Sequence, residues 1–225
     1  MENRSIALDG PAGAGKSTLA KLAARHFGII YVDTGALYRC VGLHAWRKRI
    51  ESKDIESVSA ILPDIRLEMK YDENNEQRMI LNGEDVTDEI RTPEVSVYAS
   101  DVSAMPPVRD FLLSMQRDMA KKYDVIMDGR DIGTVVLPEA GLKVFLTADP
   151  EVRAKRRYLE LLEKNADTSF EEVYSSMVSR DKNDSERAVA PLKAAEGSIT
   201  LDTTHLNLDV SFSALCDIIK QRLSV

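Results

Sequence analysis

The run Gly10-Pro-Ala-Gly-Ala-Gly-Lys16-Ser17 constrains this chain more than any other feature. It fits G-x-x-x-x-G-K-[ST] and lies between an apolar stretch, residues 4–9, and an amphipathic one, Lys16 to Phe27. Glycines at 10, 13 and 15 let a strand turn into a helix with backbone N–H groups facing inward and no Cβ in the way. The helix aims its positive end at the same point. Such a turn cradles the phosphates of a nucleoside triphosphate, here with Gly10, Pro11, Ala12, Gly13, Ala14, Gly15, Lys16, Ser17 and Thr18. Lys16 suits the β- and γ-phosphates, and the Ser17 hydroxyl suits a Mg²⁺ shell. The motif is silent about what is done with the triphosphate.

The rest of the chain repeats strand and helix, which implies an α/β fold with a parallel sheet and right-handed crossovers. Strands are expected at 4–9, 29–32, 124–128, 142–147 and 198–202, and helices at 16–27, 37–49, 93–104, 107–122, 151–164, from Ser169 to about Arg180, and 211–223. Residues 63–92 change character. Alternation over 65–71, a turn at Asp72 to Glu76, the strand QRMIL, Asn82-Gly83 and EDVT read as a small β-rich insertion.

A net charge of -7 argues against a general nucleic-acid binder, though not against a small anion in a local basic pocket. Charges interrupt every apolar stretch, and Met1 to Ser5 carry no signal-peptide pattern, so the expectation is a cytoplasmic protein that avoids membranes. Cys40 and Cys216 read as reduced structural thiols.

Where the arginines cluster therefore matters more than their number. Arg153, Arg156 and Arg157 stand at i, i+3 and i+4 of one helix. They form either a solvated Arg–Glu face or a lid whose guanidinium groups swing over a transferring phosphoryl group, a contact worth roughly 10³ to 10⁵ in rate. Arg39 follows Asp33-Thr-Gly-Ala-Leu-Tyr38, Arg130 lies between Asp128 and Asp131, and Arg180 and Arg187 bracket Asp181-Lys-Asn-Asp184. Together they suggest a second anion site, because bidentate guanidinium forks match phosphate oxygens. Asp128, at the end of an apolar strand, is either a turn residue or a Mg²⁺ ligand, direct or through water, and Asp9 is a weaker candidate for that duty. Asp181-Lys-Asn-Asp184 looks superficially like a guanine-reading motif, but its first position is wrong and its context is helical. The histidines fall in no catalytic pattern, and an acceptor that is already an anion needs little general-base help.

The runs IALDGPAGAGKSTLAK, VDTGALYR, IRTPEVS, DGRDIGT, RDKND and RAVAPL, in this order and spacing, resemble the bacterial cytidylate kinase family across essentially the whole chain. The resemblance implies a P-loop fold: a five-stranded parallel core in the order 2-3-1-4-5, flanked by helices. The core would comprise about 1–35, 123–150 and 190–225. An acceptor-binding domain would span about 36–122, with the insertion at 63–92, and a lid about 151–189. It implies an enzyme that turns ATP and CMP (or dCMP) into ADP and CDP (or dCDP) with Mg²⁺, and a monomer is expected. Gly10 to Thr18 would hold ATP, and Ser17 and Asp128 the metal. Arg39, Arg130 and Arg187 would hold the acceptor phosphate. Ser100, Arg109 and Asp131 would face cytosine with Thr34 nearby, and Arg180 and Asp184 would hold the sugar. Lys16, Arg130 and the lid arginines 153, 156 and 157 would act in the transfer. The chemistry agrees, since Asp131 and Ser100 can accept from the N4 amino group and Arg109 can donate to N3 or O2, pairings that uracil would leave mismatched. Two alternatives are a P-loop kinase for another acceptor, such as AMP or shikimate, and a nucleotide-dependent switch without acceptor turnover.

Overall fold

The computed structural model describes residues 4–74, 76–163 and 166–223. In chain order the elements are β1 Ser5–Asp9, α1 Lys16–Phe27, β2 Ile30–Asp33, α2 Thr34–Arg47, α3 Ile55–Ile61, β3 Leu67–Tyr71, β4 Gln77–Leu81, β5 Glu84–Asp85, α4 Pro93–Val102, α5 Pro106–Lys122, β6 Val125–Gly129, β7 Leu142–Thr147, α6 Pro150–Glu163, α7 Phe170–Glu186, β8 Ile199–Asp202 and α8 Leu208–Leu223. Five strands form one sheet in the order β2-β6-β1-β7-β8, every neighbouring pair parallel. β3, β4 and β5 form a separate antiparallel sheet.

Strand periodicity sorts the core into two layers. Ile6 and Leu8 of β1, with Ile126 of β6 and Val144 of β7, pack with α1 and α8 residues such as Leu19, Ala23, Leu215 and Ile219. Ala7, Val125 and Met127 face the other way and pack with Val32, Ile132 and Val136. A third cluster joins α2, α4 and α5 to the antiparallel sheet through Leu37, Val41, Met79, Leu81, Val102 and Leu112. Cys40 and Cys216 are buried and free, as read from the sequence. Among the described residues no helix is long and apolar enough to cross a membrane.

Several expected boundaries move, each for a local reason. α2 starts at Thr34 rather than Leu37, because the Asp33 carboxylate caps it by accepting from the Ala36 N–H at 3.0 Å. EDVT pairs only over Glu84–Asp85, since Val86 turns into the core and the Thr87 hydroxyl accepts from the Met79 N–H. α7 runs on past Arg180 to Glu186, its start fixed by the Ser169/Glu172 capping box and its charged last turns by partners described below. The expected helix end at Lys164, Asn75 of the expected turn and the first three residues lie outside the described residues. α3 and a single π-helical turn at Ile132–Val136 are additions that the sequence reading lacks.

β2 is an edge strand, and β4 covers its end. The buried Gln77 side chain accepts the Asp33 N–H at 2.9 Å and returns an N–H toward the Asp33 carbonyl at 3.4 Å, much as a neighbouring strand would. The Tyr71 hydroxyl adds a bond to the Tyr31 carbonyl at 3.0 Å. Gln77→Ala is expected to lower the unfolding free energy by about 1–2 kcal/mol, measured by urea denaturation, because it strips a partner from a largely buried backbone donor.

Candidate active site

The cradle leaves β1 through a gap that admits no side chain. A Cβ on Gly10 would stand 1.9 Å from the Leu146 carbonyl oxygen of β7. Gly13 and Gly15 take φ of 70° and 87°, in the left-handed region that favours glycine. Gly15 begins α1 without a side-chain cap, and the first turn of α1 holds no acidic residue, so its N–H groups stay open to an external anion. The buried Lys16 ammonium donates to the Pro11 carbonyl at 2.7 Å. Burial, with Arg130 second and Arg180 further down, pushes its pKa down to about 7.

Asp128, at the end of β6, accepts from the Ser17 hydroxyl at 2.7 Å and from the Tyr31 hydroxyl at 3.0 Å. Burial and then Asp33, its register partner on β2, push its carboxyl up to about 6. A hydroxyl and a carboxylate side by side are the hard oxygen donors that Mg²⁺ takes beside phosphate oxygens and water, so this pair fits that ion. Asp9 is held differently. Its two oxygens accept the backbone N–H groups of Ile132 and Gly133 at 2.8 and 2.7 Å, which spends the carboxylate on shaping the π-helical turn.

A second cluster lies where β6 and α7 meet α4 and α5. The Asp131 carboxylate accepts from Arg109 and, at 3.3 Å, from Arg187, and all three side chains are at most 7% exposed. Arg109 also donates to the Ser103 carbonyl at 3.0 Å and lies over the Tyr38 ring. Arg130 donates to Asp184 at 2.7 Å. Burial opposes ionisation of Asp184, but Arg130 and Arg180 outweigh it and hold the carboxyl below its usual range. Thr34 donates to the Asp128 carbonyl at 2.7 Å. Ser100 is half-buried, and its carbonyl accepts from the Ser103 hydroxyl.

Arg180 is the most exceptional of these groups. Its Nε is buried with no hydrogen-bond partner among the described residues. Burial and then Arg130 push its pKa down to about 10, with Arg39 adding to the repulsion. Arg39 donates to the Ile90 carbonyl and the Ser96 hydroxyl. Burial lowers its pKa, Asp33 opposes, and Arg91, Arg157 and Arg130 add their repulsion. Lys16, Arg39 and Arg180 thus all feel the charge of Arg130, which is itself paired with Asp184, and bound anions would relieve that repulsion.

Arg153, Arg156 and Arg157 do not reach one place. Arg153 is buried against the outside of the cradle, donating to the Ala12 carbonyl at 2.8 Å, to the Ala148 carbonyl at 2.8 Å and to Asp181 at 2.6 Å. Arg156 is not brought to the cradle, because its guanidinium donates to the Thr203 and Leu206 carbonyls beyond β8. Arg157 pairs with Glu160 on the exposed face. The sequence reading passed over Tyr31 and Ser103, and it met Asp181 only as part of a superficial guanine-like motif. Only Asp181 left a signal, four residues after Met177 on one helical face.

The fold and this cleft define a P-loop kinase type of protein. In fold the chain is similar to a solved Eubacterium ventriosum protein described as uncharacterized (TM-score 0.54, 12% identity, 98% of this chain and 100% of that one). It is also similar to the shikimate kinase of Bacteroides thetaiotaomicron (TM-score 0.50, 14% identity, 99% of each chain). At such identities the likeness concerns the fold alone. The family model for cytidylate kinase matches residues 6–221. The cytidylate kinase of Caldicellulosiruptor saccharolyticus is 48% identical over 209 residues, 93% of this chain and 92% of that protein. That of Thermosipho melanesiensis is 47% identical over 217 residues, 96% of this chain and 97% of its own. The chain belongs to the cytidylate kinase family.

Asp131→Ala is expected to lower the unfolding free energy by about 3–5 kcal/mol in denaturant titrations, because it leaves two buried guanidinium groups without their shared counter-charge.

Proposed function

We propose that the protein transfers the γ-phosphoryl group of ATP to CMP and dCMP, giving ADP and CDP or dCDP. The observation that carries this reading is the group of neighbouring cations around Arg130, with the orphaned Nε of Arg180 among them, together with the uncapped start of α1. One polyphosphate would leave part of that positive charge unanswered, whereas a donor and an acceptor phosphate together answer it.

In this reading Gly10 to Thr18 hold ATP through backbone N–H groups and Lys16 neutralises the β- and γ-phosphates. Arg39, Arg130 and Arg187 hold the acceptor phosphate, and Arg180 and Asp184 the sugar. Asp131, oriented by Arg109 and Arg187, accepts from the cytosine amino group, with Ser100 and Thr34 beside it. Ser17 and Asp128 would hold Mg²⁺, which when bound neutralises charge building on the phosphate oxygens. Arg153 braces the cradle from outside, Arg157 supplies lid charge toward Arg39, and Arg156 anchors α6 to the segment after β8. The acceptor oxygen is an anion already, so alignment and charge neutralisation carry the rate. The domain reading goes with these roles: a core of about 1–35, 123–150 and 190–225, an acceptor side of about 36–122 and a lid of about 151–189 that close together and exclude water. We place the protein in the cytoplasm as a monomer.

An acceptor panel tests the function. ADP release should be fastest with CMP and dCMP, and faster turnover of AMP, UMP or shikimate would overturn the assignment. Lys16→Ala should lower kcat by a factor on the order of 10² to 10³ without unfolding the chain. Asp131→Asn, which keeps the side chain's shape, should lower kcat/KM for CMP about tenfold more than for UMP, and equal losses would take base reading away from Asp131.

A further inference from the structure

α7 touches both halves of the cleft. On one side Met177 packs so closely on the cradle that a Cβ on Gly13 would come within 2.7 Å of its Cε. One turn further on, Asp181 accepts the Ala12 N–H at 3.2 Å with one carboxylate oxygen and the Arg153 guanidinium at 2.6 Å with the other. Arg153 closes the triangle by donating to the Ala12 carbonyl. The same turn of α7 carries Arg180 and Asp184 toward the other half of the cleft, where Asp184 meets Arg130. The residue just past the helix, Arg187, meets Asp131.

A helix bonded at this many points moves as a rigid piece, and its two sets of contacts then share one position. The Ala12 peptide is part of the loop that must settle around donor phosphates, so a change there pulls on Asp181. Three residues along, Asp184 moves with it.

We propose that Asp181 is a positioning residue. It couples the conformation of the donor loop to the placement of Arg180 and Asp184, so that a bound donor nucleotide strengthens acceptor binding. The inference rests on the functional reading above and adds to it a residue and a direction of communication. The coupling is reciprocal, since two ligands linked through one element must alter each other's affinity equally. Asp181 itself touches neither reacting group.

The test is a calorimetric double titration of the full chain with Mg²⁺. CMP affinity is measured with and without an ATP analogue whose β–γ bridging oxygen is replaced by NH. Wild type should bind CMP about fivefold or more tightly when the analogue is present. Asp181→Ala should keep the separate affinities for analogue and for CMP within about threefold of wild type while the enhancement falls to about one, the signature of lost coupling rather than a lost pocket. Asp181→Asn retains an acceptor for Ala12 but not the charge for Arg153. It should give an intermediate enhancement, and it serves alone if the alanine variant does not fold. An unchanged enhancement in either variant overturns the proposal, as does a loss confined to the analogue's own affinity, which would make Asp181 part of the donor pocket. Wild-type turnover of CMP on the same samples separates the two levels. Turnover without enhancement in the wild type overturns the coupling alone, whereas absent turnover overturns the functional reading and the coupling with it.

Discussion

The donor loop has to leave the middle strand of a parallel sheet through a space bounded by the Leu146 carbonyl, and only a residue without a Cβ passes. This contact fixes where Gly10 lies, and much follows from it. The loop is forced upward at the carboxyl ends of the strands, where Asp128 of β6 waits to meet Ser17. Asp9, the last residue of β1, is left with its carboxylate beneath the chain that follows β6, where it gathers two backbone N–H groups. Ligand sites of open parallel sheets gather at this end because the loops that line them all leave from it. Here a carbonyl and a missing methyl group supply the local reason.

The cleft above the sheet is built against its own charge. Leaving a buried guanidinium nitrogen without a hydrogen-bond partner is costly, and the chain does so with the Nε of Arg180. Nearby pairs show the contrast. Arg130 with Asp184, and Arg109 and Arg187 with Asp131, are neutralised within the protein and hold the walls in place. A protein of net charge -7 thereby gathers several of its cations in one place.

How much of this was legible depended on where the controlling contact lay in the chain. The cradle could be read because glycine spacing, strand and helix are all local. The five parallel strands and the antiparallel insertion could be read because residues buried on both faces and residues buried on one face leave different patterns. The last two turns of α7 could not. A polar run such as Arg180 to Asn183 reads as a helix end unless its partners are known, and Arg153, Arg130 and the Ala12 N–H come from distant segments. The destination of Arg156 was hidden for the same reason. Helical spacing puts it near Arg153 and Arg157, but the Thr203 and Leu206 carbonyls that hold it belong to the far edge of the sheet.

The three hydrogen bonds that Gln77 and Tyr71 make with β2 have a mechanical meaning. They fasten the small antiparallel sheet to the large one at the strand that leads into α2. Swinging the small sheet away would break all three, at about 1 kcal/mol each. The joint is therefore held by a few bonds of modest worth, firm enough to set the angle between the two sheets and costing little to break.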